Sequence, residues 1–126
     1  MTIYTEIREA NNILKKYLGA KVQVWIFDVS HKRLALKISL PTPSTGYPLT
    51  VYIVAITCEH ITGAFSWKNG NLVINECVDN NFGEVIKLTD SSAHFELIAS
   101  GGFVVAEGME EEFGTSFDNL LGGHVE

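Results

Sequence analysis

The chain has 126 residues, 46% of them hydrophobic and only 19% charged, with nine basic residues against fifteen acidic ones and a net charge of -6. That length supports one domain with a real core and is too short for two. A pI near 5.1 and the lack of a basic face exclude nucleic acid and anionic lipid as expected partners, because counterion release by clustered Lys and Arg supplies that affinity. Charged residues fall below the usual share of about 25%, so some apolar surface is expected to be covered by a protein partner or by self-association.

No run approaches the ~18 charge-free apolar residues that a membrane helix requires. The opening MTIYTEIREANN carries charges where a signal peptide needs an apolar core. The expected compartment is therefore the cytoplasm. Two cysteines, Cys58 and Cys77, are too few and too widely spaced for a zinc pattern or a disulfide framework.

In chain order, residues 2–18 read as an amphipathic helix. Ile3, Ile7, Ala10, Ile13, Leu14, Tyr17 and Leu18 recur at three- and four-residue spacing. Thr2 is a candidate cap, Glu6 and Glu9 lie toward the positive end of the dipole, Lys15 and Lys16 toward the negative end, and Gly19 is a left-handed terminator. The period then drops to two. Val22, Val24 and Ile26 alternate with Gln23, Trp25 and Phe27; after a turn at residues 30–32, Leu34, Leu36, Ile38 and Leu40 alternate with polar or small residues. These two strands are expected to pair as a hairpin. Residues 41–48 hold every proline of the chain and form a loop.

The most apolar stretch is residues 49–67, LTVYIVAITCEHITGAFSW. It reads as one long strand, bent or bulged near Gly63, around which the rest packs. Asn69-Gly70 is a two-residue hairpin signal, so residues 72–77 are expected to return antiparallel to it. Residues 78–84 are polar and turn-rich, 85–88 form a short strand and 89–92 a turn. A second hairpin joins residues 94–100 to 103–107 through Gly101-Gly102. The acidic tail, 108–126, has Phe113, Phe117, Leu120 and Leu121 on one side of a potential short helix. The resulting expectation is an α+β domain spanning 1–126. Its N-terminal amphipathic helix packs on a curled, about seven-stranded antiparallel sheet covering residues 21–107; a small β-barrel or sandwich with one helix is the alternative.

Cys58-Glu59-His60 is the one place where three chemically capable side chains adjoin. In a regular strand Cys58 and His60 share a face and Glu59 takes the other, which serves a Cys-His-acid arrangement poorly. The predicted register sets Cys77 about four residues along the ladder from Cys58. At about 3.4 Å per residue that exceeds the ~7 Å Cα limit of a disulfide, and a metal set of Cys58, His60 and Cys77 lacks a fourth ligand. With Gly101-Gly102 as a hairpin turn, Glu96 faces Glu107, a like-charge pair that suggests a shared proton or a bound cation. Trp25, Phe27, Phe65, Trp67 and Phe82 are candidates to line a pocket.

No phosphate-binding loop, dinucleotide fingerprint or nucleophile elbow is present, so no catalytic residues, metal ligands or cofactor are assigned. The sequence is best read as a non-enzymatic interaction or regulatory domain, of the kind an inhibitor or immunity protein uses against a basic partner. The alternatives are a small-ligand binder or minor enzyme using Cys58, Glu59, His60, Glu96 or Glu107, and a structural subunit of a homo-oligomer.

Overall fold

A computed structural model of the chain describes residues 2–40, 49–109 and 113. Among these residues the strands are β1 (Thr2–Tyr4), β2 (Lys21–Asp28), β3 (Arg33–Ser39), β4 (Leu49–Ala55), β5 (Cys58–Thr62), β6 (Ser66–Trp67), β7 (Val73–Asp79), β8 (Gly83–Asp90), β9 (Phe95–Ala99) and β10 (Phe103–Met109), and the α-helix is α1 (Ile7–Lys16). The α+β class holds. The strands, all antiparallel, divide into two sheets, ordered β1-β10-β4-β3-β2-β6 and β5-β9-β8-β7. The inner faces meet in one buried cluster, in which Leu36, Ile53 and Val105 of the first sheet join Ile74, Leu88 and Leu97 of the second and Ala10, Ile13 and Leu14 of α1. No described helix is long and apolar enough to cross a membrane.

The helix is shorter than its periodicity suggests. Residues 2–4 form a strand against β10 (Ile3 opposite Ala106), because a Thr-Ile-Tyr segment fits a pleated surface and completes a ladder that an extra helical turn would leave open. The cap is therefore Glu6, not Thr2: its carboxylate accepts the Arg8 and Glu9 amides at 2.9 and 3.1 Å. Gly19, at φ +90°, stands just beyond the C-terminus, as a left-handed terminator should. From within the helix, the Asn11 side chain donates to the Ile74 carbonyl at 2.8 Å and accepts the Ile74 amide at 2.9 Å. The helix thus occupies the edge of β7 at Ile74 with a side chain that imitates a neighbouring strand.

The β2–β3 hairpin forms as the alternation predicts, with one bulge between Val24 and Ile26. The apolar run 49–67 does not stay in one strand. It is β4 in the interior of the first sheet, β5 at an edge of the second, and β6 back in the first, paired with β2. The break falls at Ile56-Thr57, where Thr57 has φ +56°, an uncommon conformation for a β-branched residue. Four backbone bonds hold it there: Ile56 N to Gly102 O (3.0 Å), Gly101 N to Ile56 O (2.9 Å), Ser100 N to Thr57 O (3.0 Å) and Cys58 N to Lys32 O (2.7 Å).

Both expected hairpins after residue 67 are thereby overturned. The Asn69-Gly70 turn does not pair its flanks: β6 joins β2, and β7 joins β8. Gly70 instead docks on the end of the helix connection, donating to Ala20 O at 2.7 Å and accepting from Gly19 N at 2.8 Å. Likewise β9 and β10 belong to different sheets. Gly101-Gly102 is a crossing that runs beside the Ile56-Thr57 crossing, so close that a Cβ on Gly101 would lie 2.7 Å from Thr57 Oγ1 and 2.8 Å from Ile56 O. Residues 78–79 and 83–84 extend the β7–β8 ladder, and 89–90 complete β8. Of the tail, Gly108 and Met109 continue β10. Phe113 is fully buried against Tyr52 on the outer face of the first sheet, with ring centroids 4.2 Å apart. The rest of the expected tail helix lies outside the described residues.

Asp90 is wholly buried at the end of β8. Its carboxylate accepts from Trp67 Nε1 (2.7 Å), Asn71 N (2.7 Å), Ser92 N (3.1 Å) and Ser92 Oγ (2.7 Å). Burial alone would raise its pKa, but the donors of Asn71, Ser92 and Trp67 outweigh it and hold the carboxyl below its ordinary value. The charged form is thus favoured in the folded state. Its stabilisation is complete above the unfolded Asp value of roughly 3.9 and is lost as pH falls through the lower folded value.

Asp90→Ala, which strands buried donors, is expected to cost about 2–4 kcal/mol in urea denaturation at pH 7. Asp90→Asn should flatten the decline in stability below pH 4 relative to the wild-type chain. Gly101→Ala should lower stability by about 1–3 kcal/mol, through collision with Thr57 and Ile56 at the crossing, as read by the thermal midpoint.

Candidate functional site

A cleft of about 450 Å³ opens between the β2–β3 hairpin and β5, lined by Val24, Phe27, Leu34, Cys58, Glu59, His60, Ile61 and Phe65. Two bulges build it. In an unbroken strand Val24 and Phe27 would face opposite ways; the register shift between Val24 and Ile26 returns Phe27 to the side of Val24. A second shift, between Cys58 and His60 against β9, breaks the alternation of β5, and all four residues 58–61 border the cleft. Phe65 is carried on the segment between β5 and β6 and fixed there by the bond from Val24 N to Phe65 O, 2.7 Å.

The lip of this cleft is unusually apolar. Phe65 is 82% exposed, Phe27 50% and Ile61 41%. Its floor is Leu34 and Cys58, 4% and 9% exposed.

The polar groups are already engaged. Glu59 accepts from Lys32 Nζ at 3.0 Å and Ser100 Oγ at 2.9 Å; the Lys32 bond, then that of Ser100, lowers its pKa. His60 Nε2 lies 2.6 Å from Thr62 Oγ1. The Cys58 thiol faces the His60 carbonyl at 3.9 Å, and burial pushes its pKa up. A neutral thiol, an imidazole turned to a threonine hydroxyl and a carboxylate neutralised by lysine do not form an activated nucleophile.

Three of the five predicted site residues, Cys58, Glu59 and His60, therefore come together, and two do not. Glu96 stands opposite Thr62 and Thr89, with its carboxylate 3.9 Å from Lys87 Nζ. Glu107 stands opposite Thr2 and Val51 and accepts the Tyr17 hydroxyl at 2.9 Å; burial, and then this bond, raise the Tyr17 pKa. The facing pair of carboxylates does not exist, because their strands separate into different sheets at Gly101-Gly102. Cys77, opposite Val85 on β7, lies three strands from β5. At about 4.8 Å per strand it cannot share a metal with Cys58 and His60. Both cysteines are free.

Of the aromatic candidates, Phe27 and Phe65 line the cleft. Trp25 is on the outer face, edge-on to Tyr52 at 6.4 Å with Lys37 Nζ 4.2 Å from its ring. Trp67 is bound to Asp90 and packed on Phe95 at 4.6 Å, and Phe82 is in the β7–β8 turn. Ile61, Val24 and Leu34 had no sequence signal that set them apart from ordinary core.

No family model, curated protein or solved structure matches this chain.

The buried, neutral Cys58 should resist modification while the more accessible Cys77 reacts. Titration of the native chain with Ellman's reagent at pH 8 is expected to show one prompt thiol, identified as Cys77 by peptide mapping, with Cys58 reacting only on unfolding.

Proposed function

We propose that the chain is a non-enzymatic interaction domain that binds a protein partner through the cleft between the β2–β3 hairpin and β5. One observation carries this reading: Phe27, Ile61 and Phe65 present large apolar side chains to solvent around a single concavity. Contiguous exposed apolar surface of this kind marks interaction sites, and buried aromatic anchors dominate binding energy where partners meet. The state of Cys58, Glu59 and His60 supports a contact role over a catalytic one, since each already has its partner or is held neutral. A net charge of -6 favours association with a basic partner, and two free thiols favour a reducing compartment such as the cytosol.

A second reading, a small apolar ligand, is favoured by the cleft volume, which falls within the roughly 300–1,000 Å³ of small-molecule sites. Saturable, one-to-one binding of anilinonaphthalene sulfonate that Leu34→Glu abolishes and Phe65→Ser leaves intact would support the small-ligand reading over the protein one.

The protein-partner reading is tested by placing a photo-crosslinking phenylalanine at position 65 in cells, with position 78 as control. Val78 is 77% exposed and lies on β7, at the far edge of the second sheet. A discrete adduct is expected from position 65 and not from 78. With the captured protein reconstituted, Phe65→Ser should weaken binding tenfold or more while changing stability by no more than about 0.5 kcal/mol. Identical cross-linking from both positions, or none from 65, defeats the proposal.

A further inference from the structure

We infer that the outer edge of β5 accepts an extended segment of the partner as an added strand, seated in the apolar cleft. This rests on the cleft being the binding surface and names how it is used.

The argument begins with the four sheet edges. An unpaired edge is a template for another strand, and proteins blunt the edges they do not use. The first sheet ends in β1 and β6, of three and two residues, too short to template much. On the second sheet, β7 is bonded by the Asn11 amide at Ile74, and none of its residues borders the apolar cleft. β5 is different. Its five residues pair only with β9. At its start the Cys58 amide points outward and donates to Lys32 O at 2.7 Å, so the edge already bonds backbone there, from the left-handed Lys32 of the β2–β3 turn. Beyond Cys58, among the described residues, the backbone of Glu59–Thr62 has no backbone hydrogen-bond partner outside β9, and the His60 carbonyl meets only the Cys58 thiol there.

The exposed edge and the apolar lip coincide, which indicates the occupant. A strand laid along β5 presents alternate side chains to one face, where Phe27, Ile61 and Phe65 would receive them. The alternative of a second copy meets an area argument. The exposed parts of these three side chains amount to on the order of 300 Å², well short of the ~800 Å² per partner that a stable interface uses. A short strand compensates with main-chain hydrogen bonds, the source of affinity in strand addition. The negative charge of the chain favours basic residues flanking the segment. The guest is thus an extended peptide, apolar at alternate positions, free of internal proline and with basic flanks.

The test uses displayed random seven-residue peptides selected on the intact chain, with Phe65→Ser as counter-selection. Recovered peptides are resynthesised unmodified and with N-methyl groups at either alternate set of amides, and affinities are measured by fluorescence anisotropy. Strand addition predicts that methylating one set costs at least tenfold and the other little, and that amides within residues 59–62 gain tenfold or more hydrogen-exchange protection on binding. Peptides that bind wild type, fail on Phe65→Ser and tolerate both methylation patterns would overturn strand addition and leave the cleft reading standing. Peptides that bind Phe65→Ser equally well, or no recovered peptides, would defeat both. Light scattering that shows a dimer with residues 59–62 protected in the absence of peptide would assign the edge to a second copy and overturn the choice of guest.

Discussion

The architecture depends on a corner where two chain segments pass between sheets side by side. Ala55 and Cys58 are three Cα steps apart, at most about 11 Å, and the path bends through a left-handed Thr57. Sheets packed face to face stand ~10 Å apart, so such a connection has little slack. The return passage at Gly101-Gly102 crosses at the same point, locked to the first by backbone bonds and by the absence of a side chain at Gly101. Because β4 lies inside the first sheet and β5 at the rim of the second, this corner also determines that the segment richest in chemically capable residues ends at an edge.

Local chemistry made much of this legible. The spacing of Ala10, Ile13, Leu14 and Tyr17 identified the helix, and the alternation from Val22 to Leu40 identified the first hairpin. Even the two misassigned turns were half right about their backbones: Asn69 and Gly102 adopt positive φ, at +57° and +93°, while Gly70 and Gly101 do not. What those residues cannot encode is which strand lies on the other side. A positive φ serves a hairpin and a crossing equally well, and the choice is made by contacts distant in sequence, such as Val22 opposite Trp67. The facing Glu96 and Glu107 pair failed for that reason alone.

The candidate site was legible as a cluster and illegible as a surface. Cys58, Glu59 and His60 adjoin in sequence, so their proximity needed no fold. Their engagement by Lys32, Ser100, Thr62 and burial required elements 27 to 41 residues away in the case of Glu59. Two bulges each displaced a side chain from the face that strict alternation assigns. A single inserted residue reverses which side chains look inward, and neither bulge is marked by glycine.

Buried polar groups give the fold its specificity. Asp90 ties the indole of Trp67 and the amide of Asn71 to the end of β8, so the short β6 segment has one position in which no carboxylate or donor is stranded. Asn11 does the same for the helix, through paired bonds to Ile74. That second contact has a consequence for assembly. A molecule with two equally receptive rims would pass strands from copy to copy and grow as a fibre. At Ile74 that passage is interrupted, because a strand added along β7 would have to displace the amide of the chain's own helix.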